Sequence, residues 1–146
     1  VDAGNRVDRF DPAGVDLYVP TVAALRHRYG KLSRVDLLGR AIDEGARLVV
    51  ATDGSAGSCA LGRDGAVVTA AAAPGLIRST LGAGDVFHGA LLAATEYGLH
   101  LDQRLQYANL VASRSCEGLD GRSAIPGHDE VMAALLVPSV GGSSVS

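Results

Sequence analysis

The residues best suited to chemistry lie where two glycines, Gly82 and Gly84, precede the carboxylate of Asp85 at the start of a predicted helix. The backbone N–H groups of a first helical turn have no acceptor within the helix, and the helix dipole makes this end attractive to anionic oxygen. Glycine adds conformational freedom and lets a phosphate come close to the backbone. The sequence therefore predicts a phosphate-binding turn at residues 82–85.

Asp85 has two interpretations at this point. It can be a carboxylate that only stabilises the helix dipole, or it can be a base beside the phosphate-binding turn that takes a proton from an attacking hydroxyl. Spacing alone does not separate the two. Two common nucleotide motifs are absent, because the chain has no Gly-x-x-x-x-Gly-Lys-[Ser/Thr] sequence and Phe87 stands where a dinucleotide fingerprint requires glycine.

The elements that must position this turn alternate between short apolar runs and longer periodic segments, a pattern typical of α/β proteins. Strands are predicted at residues 15–19 and 47–52, followed by a hairpin of residues 58–61 and 66–72 around a turn at 62–65. Capping residues, glycine stops and apolar spacing predict five helices, at residues 22–29 after Thr21, 34–44 after Ser33, 83–97, about 102–116 with Asp102 as its cap, and 127–136. The last three helices are expected to form one layer against the sheet.

Composition and charge exclude several classes of protein. With 47% hydrophobic and 20% charged residues among 146, the chain has globular composition. A net charge of −3 argues against nucleic-acid binding and against a polybasic membrane contact, and no apolar run is long enough to span a membrane. Cys59 and Cys116, expected to be small buried residues, form no disulfide framework and favour a reduced, cytoplasmic protein. The histidines lack metal-ligand spacing, so no metal site is predicted at His27, His88, His100 or His128.

The sequence Thr80-Leu-Gly-Ala-Gly-Asp-Val-Phe-His-Gly-Ala90 resembles the C-terminal signature of the ribokinase-like (PfkB-type) carbohydrate kinases. The likeness extends to residues 49–57, similar to that family's Thr-x-Gly-x-x-Gly turn over the nucleotide phosphates, and to 107–112, similar to its helix beside the adenine. Residues 115–126 resemble the loop that closes the nucleotide site, nearest to the fructokinase and ketohexokinase branch. The resemblance covers about residues 15–137 and implies an α/β fold, the ribokinase-like three-layer α/β/α sandwich with a mostly parallel sheet.

This resemblance also implies an activity, the ATP-dependent phosphorylation of a sugar hydroxyl, with ATP and Mg²⁺ as cofactors and a small-molecule sugar as substrate. The roles it implies are a catalytic base at Asp85, an anion hole made by the N–H groups of Gly82, Ala83, Gly84 and Asp85, triphosphate contacts at Thr52, Gly54 and Gly57, and an adenine contact at Asn109. The nucleotide residues also have structural interpretations: a strand end for Thr52, turn glycines, and an exposed helix position for Asn109. Homodimer formation is expected only of a full-length form.

Two positions depart from the family pattern. Ser79 replaces the aspartate that helps to hold a monovalent cation, which puts activation by potassium in doubt. Thr21 and Ala24 replace both polar residues of the family's Asn-x-x-Glu motif, so that magnesium would be held mainly through the nucleotide and water.

The extent of the likeness sets a further expectation. Nothing here resembles the family's N-terminal half, and the chain begins with Val1. We therefore expect residues 1–137 to be the C-terminal portion of a sugar kinase, without the lid and most sugar-binding residues, and residues 138–146 to be a disordered tail. The alternative is a degenerate, non-catalytic nucleotide-binding module of the same fold.

Overall fold

One four-stranded sheet forms the centre of the fold, with its strands in the order β1-β2-β3-β4. The computed structural model describes residues 10–137, and its strands are Leu17–Tyr18 (β1), Leu48–Thr52 (β2), Ser58–Gly62 (β3) and Val67–Ala70 (β4). The β1–β2 pair is parallel, whereas β2–β3 and β3–β4 are antiparallel. The described sheet is thus mixed, and the expectation of a mostly parallel sheet holds only at β1–β2. The reason is that short turns join β2 to β3 and β3 to β4, and short turns connect antiparallel neighbours.

Within residues 10–137, five α-helices cover the two faces of this sheet. They are Val22–Tyr29 (α1), Arg34–Asp43 (α2), Ala83–Glu96 (α3), Leu101–Ser115 (α4) and His128–Leu136 (α5). Side chains alternate between the faces of a strand, so that Val49 and Ala51 belong to the apolar cluster under α1 and α2, while Val50 belongs to the cluster under α3, α4 and α5. This is the predicted three-layer α/β/α arrangement, with the last three helices in one layer.

Two of the three cap residues predicted from the sequence, Thr21 and Ser33, cap their helices in the structure. The Thr21 hydroxyl accepts a hydrogen bond from Ala24 N at 3.0 Å, and the Ser33 hydroxyl caps α2 in the same way. The prediction of Asp102 as a cap is wrong, because α4 begins at Leu101 with His100 as its cap residue. The Gln103 side chain accepts from His100 N at 3.1 Å and so fixes the earlier start.

The chain order places the ends of β1 and β2 side by side. Thr21, the third residue beyond β1, forms a parallel bridge with Thr52 at the end of β2, and Thr52 N donates to Pro20 O at 3.1 Å. The first turn of α1 therefore begins next to the loop that follows β2. The predicted disordered tail at 138–146 lies outside the described residues.

The two cysteines lie where the sequence placed them, inside the fold. Cys59 is 2% exposed and Cys116 is 8% exposed. Both carry free thiols, and burial raises the pKa of the Cys59 thiol. Within residues 10–137, no helix has the length and apolar character needed to cross a membrane.

Candidate functional site

The N-terminus of α3 has free backbone donors, as the sequence predicted, but the expectation is wrong for Ala83, whose N–H is already bonded. Its cap residue Gly82 adopts the left-handed conformation (φ 74°) and supplies no side chain to cap the helix. Ala83 N donates to Thr80 O at 3.2 Å, but in the described part of the chain the N–H groups of Gly82, Gly84 and Asp85 have no acceptor. These three donors can therefore bind an anionic oxygen without breaking a hydrogen bond.

Gly84 differs from the other glycines of the site because the fold itself gives no reason for it. Its φ is not positive, and an added Cβ would meet no atom within 4 Å. Gly82 needs its positive φ, and Gly57 (φ 84°) has no space at all, since a Cβ there would lie 2.1 Å from Ala70 O. Chain geometry thus explains Gly57 and Gly82 but not Gly84, where the backbone stays open to the approach of a ligand.

Asp85 follows directly, in the first turn of α3, with its side chain exposed to solvent. Its position beside the free N–H groups agrees with both earlier interpretations, the dipole carboxylate and the base. The loop after α4 lies against the same turn, because a Cβ on Gly121 would come within 2.4 Å of Leu81 O. Solvent exposure means that an incoming hydroxyl has access to the carboxylate.

The second part of the site is the loop between β2 and β3. It consists of a short 3₁₀ turn, Gly54–Ala56, closed by a hydrogen bond of 2.8 Å from Asp53 N to Gly57 O. Thr52 is partly buried and ends β2, while Gly54 is exposed with φ 53° and free space at its Cβ position. Thr52, Gly54 and Gly57 are thus brought together on one loop, as the sequence predicted.

Asn109 lies in a different environment from the exposed helix position that was one alternative. It is buried, at 8% exposure, and its Nδ2 donates to the carbonyls of Ala70 and Ala71 at 3.1 Å each. Those carbonyls adjoin Gly57. Asn109 therefore ties α4 to the end of β4 beside the loop, and its amide hydrogens are already used there.

The segment from residue 70 to residue 79 joins the two parts of the site by running along α4. Beyond Asn109, the Ser113 hydroxyl donates to Ala73 O at 2.7 Å. At the end of the helix, Cys116 O accepts from the N–H groups of residues 78 and 79 at 2.8 and 3.1 Å. The seven residue steps from Asn109 to Cys116 correspond to about 10 Å of helix. The two parts of the site are therefore connected by a segment that lies along one helix.

The residues at the Asn-x-x-Glu positions do not fit direct coordination of a metal. The Thr21 hydroxyl is used as the cap of α1, and Ala24 has no ligating atom. Across residues 10–137, no three His, Cys, Asp or Glu side chains come together as a metal site. A divalent cation at this place would have to be held through other groups.

Comparison with known proteins decides the family. The family model described as "pfkB family carbohydrate kinase" matches residues 12–126, well over half of the chain. The chain belongs to this family. The matched residues begin before β1 and end in the loop after α4, so they include both parts of the site.

Solved structures of pfkB-type and ribokinase-type proteins share the fold. Arabidopsis thaliana ribokinase complexed with ribose and ATP is 21% identical with a TM-score of 0.76, and the match covers 83% of this chain and 41% of that one. A ribokinase II from E. coli in complex with ATP and Mg²⁺ is 20% identical (TM-score 0.74; 82% and 39% covered). Fructokinase from Vibrio cholerae O395, with fructose, ADP and calcium ion bound, is 21% identical (TM-score 0.71; 81% and 40% covered). The chain spans about two fifths of the length of these proteins.

The fructokinase branch stays a prediction, because ribokinases and a fructokinase match equally well. Sequence reasoning missed the path of residues 70–79 along α4, which depends on hydrogen bonds between distant parts of the chain. It also missed Arg34, whose Nη1 lies 3.8 Å from Asp53 Oδ2 at the β2–β3 loop. A basic residue directly after the cap Ser33 was the available signal, because cations are disfavoured at helix N-termini.

Proposed function

We propose that this chain carries the nucleotide-binding and catalytic-base part of a kinase that transfers a phosphoryl group from ATP to a sugar hydroxyl. The observation that supports this most strongly is the open N-terminus of α3, where three free N–H groups adjoin the exposed Asp85. Membership of the pfkB family supports this reaction class. The connection of this turn to the β2–β3 loop along α4 gives room for an elongated nucleotide.

In the proposed reaction, Asp85 accepts the proton of the sugar hydroxyl as that oxygen attacks the γ-phosphorus. The bond from this phosphorus to the β–γ bridging oxygen breaks, and ADP leaves with the electron pair. The N–H groups of Gly82, Gly84 and Asp85 donate to the oxygens of the transferring group, where negative charge has to be stabilised. Ala83 N can join them only by giving up its bond to Thr80 O.

The β2–β3 loop would hold the rest of the triphosphate through Thr52, Gly54 and Gly57. We propose that Asn109 acts on the adenine side indirectly, because its amide hydrogens bind the Ala70 and Ala71 carbonyls and fix the wall beside the loop. Mg²⁺ would supply charge neutralisation of the phosphates when bound. We propose that it is held through the nucleotide and water, since Thr21 and Ala24 offer no free ligand.

A second candidate function is a nucleotide-binding module without catalysis. The same Thr21 and Ala24 positions favour it, because this chain has no side-chain ligand to organise magnesium there. The retained Asp85, exposed beside the free N–H groups, favours the kinase.

The first experiment separates these functions by measuring binding and turnover on the same sample. Calorimetric titration of the folded chain with ATP, ADP and adenosine tests binding, and we expect heat with millimolar ATP. ADP formation is then followed with a panel of sugars that includes ribose and fructose. ATP binding with sugar-dependent ADP formation supports the kinase, and binding without turnover supports the module. No heat with any nucleotide contradicts both.

A further inference from the structure

Arg34 stands at an electrostatically unfavourable position with no hydrogen-bond acceptor of its own. It is the first residue of α2, where the helix dipole disfavours a cation. Its nearest anionic oxygen, Asp53 Oδ2, is 3.8 Å from Nη1, which is too far for a hydrogen bond. Among the hydrogen bonds of residues 10–137, none has the Arg34 guanidinium as a donor, although that group carries five N–H bonds.

Apart from Arg34, the described arginines without a side-chain partner are exposed (Arg26, Arg40, Arg78 and Arg122), whereas Arg34 is partly buried. Other arginines of the fold have firm partners. Their guanidinium groups donate to nearby oxygens at 2.5–2.7 Å, as in Arg28 to Glu44, Arg63 to Gly45 O and Arg104 to Leu99 O. The Arg34 side chain is only 40% exposed, so packing limits its movement although no acceptor holds it. A half-buried cation with unused donors is therefore held near the β2–β3 loop.

Asp53 is the charged residue of the β2–β3 loop that lies beside the Arg34 guanidinium. Asp53 directly follows Thr52 and closes the loop through its hydrogen bond to Gly57 O. Its carboxylate, 32% exposed, places a negative charge on a loop that we propose holds phosphates. A phosphate there would be repelled by Asp53 unless a cation compensates, and the Arg34 guanidinium is the cation that lies beside it.

We infer that Arg34 is a phosphate-binding residue for the nucleotide, an inference that rests on the proposed function. In the free protein its guanidinium stays close to Asp53 through charge attraction. With a nucleoside triphosphate bound, it donates to phosphate oxygens over the β2–β3 loop, where planar N–H pairs suit such oxygens. Asp53 then positions Arg34 in the free protein, and its carboxylate competes with the phosphate for the guanidinium.

The test compares nucleotides that differ in phosphate number. The 146-residue chain and its variants are titrated with ATP, ADP and adenosine by calorimetry, and circular dichroism checks their fold. We expect Arg34→Gln to weaken ATP binding about tenfold, a size typical of hydrogen bonds to charged groups, while adenosine binding is unchanged. Arg34→Lys should recover part of the loss, and Asp53→Asn should tighten ATP binding. Arg40→Gln, on the exposed last turn of the same helix, is the matched control and should change nothing.

Two sets of results overturn the inference in different ways. If the unchanged chain binds ATP and Arg34→Gln binds it equally well, or loses ATP and adenosine to the same extent, Arg34 is not a phosphate ligand and the proposed function survives. If the unchanged chain binds no nucleotide, the proposed function fails and the inference fails with it. Should Arg34→Gln not fold, the Arg34→Lys and Asp53→Asn titrations decide. If both variants bind ATP with the same affinity as the unchanged chain, the inference is overturned.

Discussion

Replacement of Gly84 by alanine separates the needs of the fold from those of the ligand. An added Cβ meets no atom within 4 Å, and φ at this position is not positive, so the substitution causes no strain. Alanine is favoured over glycine in a helix by up to about 1 kcal/mol. For a chain of this size, that corresponds to a rise in Tm of about 2–4 °C. The fold should therefore be as stable as before, or slightly more so.

ATP binding should respond in the opposite direction. The Gly84 N–H has no acceptor in the described structure, and a phosphate that reaches it needs the space that the Cβ would fill. Loss of a hydrogen bond to a charged group costs about 1.5–3 kcal/mol, which raises the Kd for ATP about 10- to 100-fold.

The assay for Gly84→Ala pairs thermal unfolding with calorimetric titration of ATP. Gly89→Ala is the matched control, because Gly89 lies on the same helix, is exposed and has equally free space at its Cβ position. We expect both variants to keep or raise Tm and only Gly84→Ala to lose ATP affinity. A Gly84→Ala variant that binds ATP as tightly as Gly89→Ala would refute the reasoning that the phosphate needs this glycine.

Three further predictions concern neighbouring parts of the site. Exchange of sodium for potassium should leave the rate of phosphoryl transfer unchanged, and Ser79→Asp should introduce a severalfold stimulation; a stimulation already present with Ser79 would contradict this. Asn109→Ala leaves the Ala70 and Ala71 carbonyls without their donor, so urea unfolding should show a free energy of unfolding lower by about 1–3 kcal/mol. The control Gln106→Ala, at an exposed position of the same helix, should lower it by less than about 0.5 kcal/mol. Equal losses in the two variants would contradict a stabilising role for the Asn109 hydrogen bonds. Hydrogen bonds from backbone N–H groups lower the pKa of Asp120 from 3.8 to about 2, and the bond from Ser123 makes the largest contribution. Its stabilisation of the closing loop is therefore present above pH 3.8 and lost as the pH falls towards 2; an NMR titration of the Asp120 carboxyl with its midpoint near 3.8 would contradict the loop geometry.

The sequence predicted those parts of the fold that depend on local physics. The caps at Thr21 and Ser33, the hairpin of β3 and β4 and the start of α3 each follow from a few neighbouring residues. The mixed sheet was harder to predict, because the continuous apolar run of β2 is typical of a strand buried on both faces, and β2 is such a strand even though its β3 neighbour is antiparallel.

The candidate site was predicted residue by residue but not in its connections. Short patterns identified the glycine turn and the β2–β3 loop, since each lies within a few residues of the chain. The interactions of Asn109 with Ala70 and of Arg34 with Asp53 join residues far apart in sequence. No local pattern encodes such pairs, so the burial of Asn109 and the unused donors of Arg34 became visible only in the structure.

The central claim, that Asp85 is the base of a sugar kinase, is tested most directly by Asp85→Asn. Asparagine keeps the size of the side chain but cannot accept the hydroxyl proton, so kcat for sugar phosphorylation should fall about 10²–10⁴-fold while the Kd for ATP changes little. If Asp85 only stabilised the helix dipole, the substitution would cost about 0.3–1 kcal/mol of stability and leave kcat unchanged. A variant that unfolds a few degrees lower and phosphorylates sugar at the original rate would contradict the account.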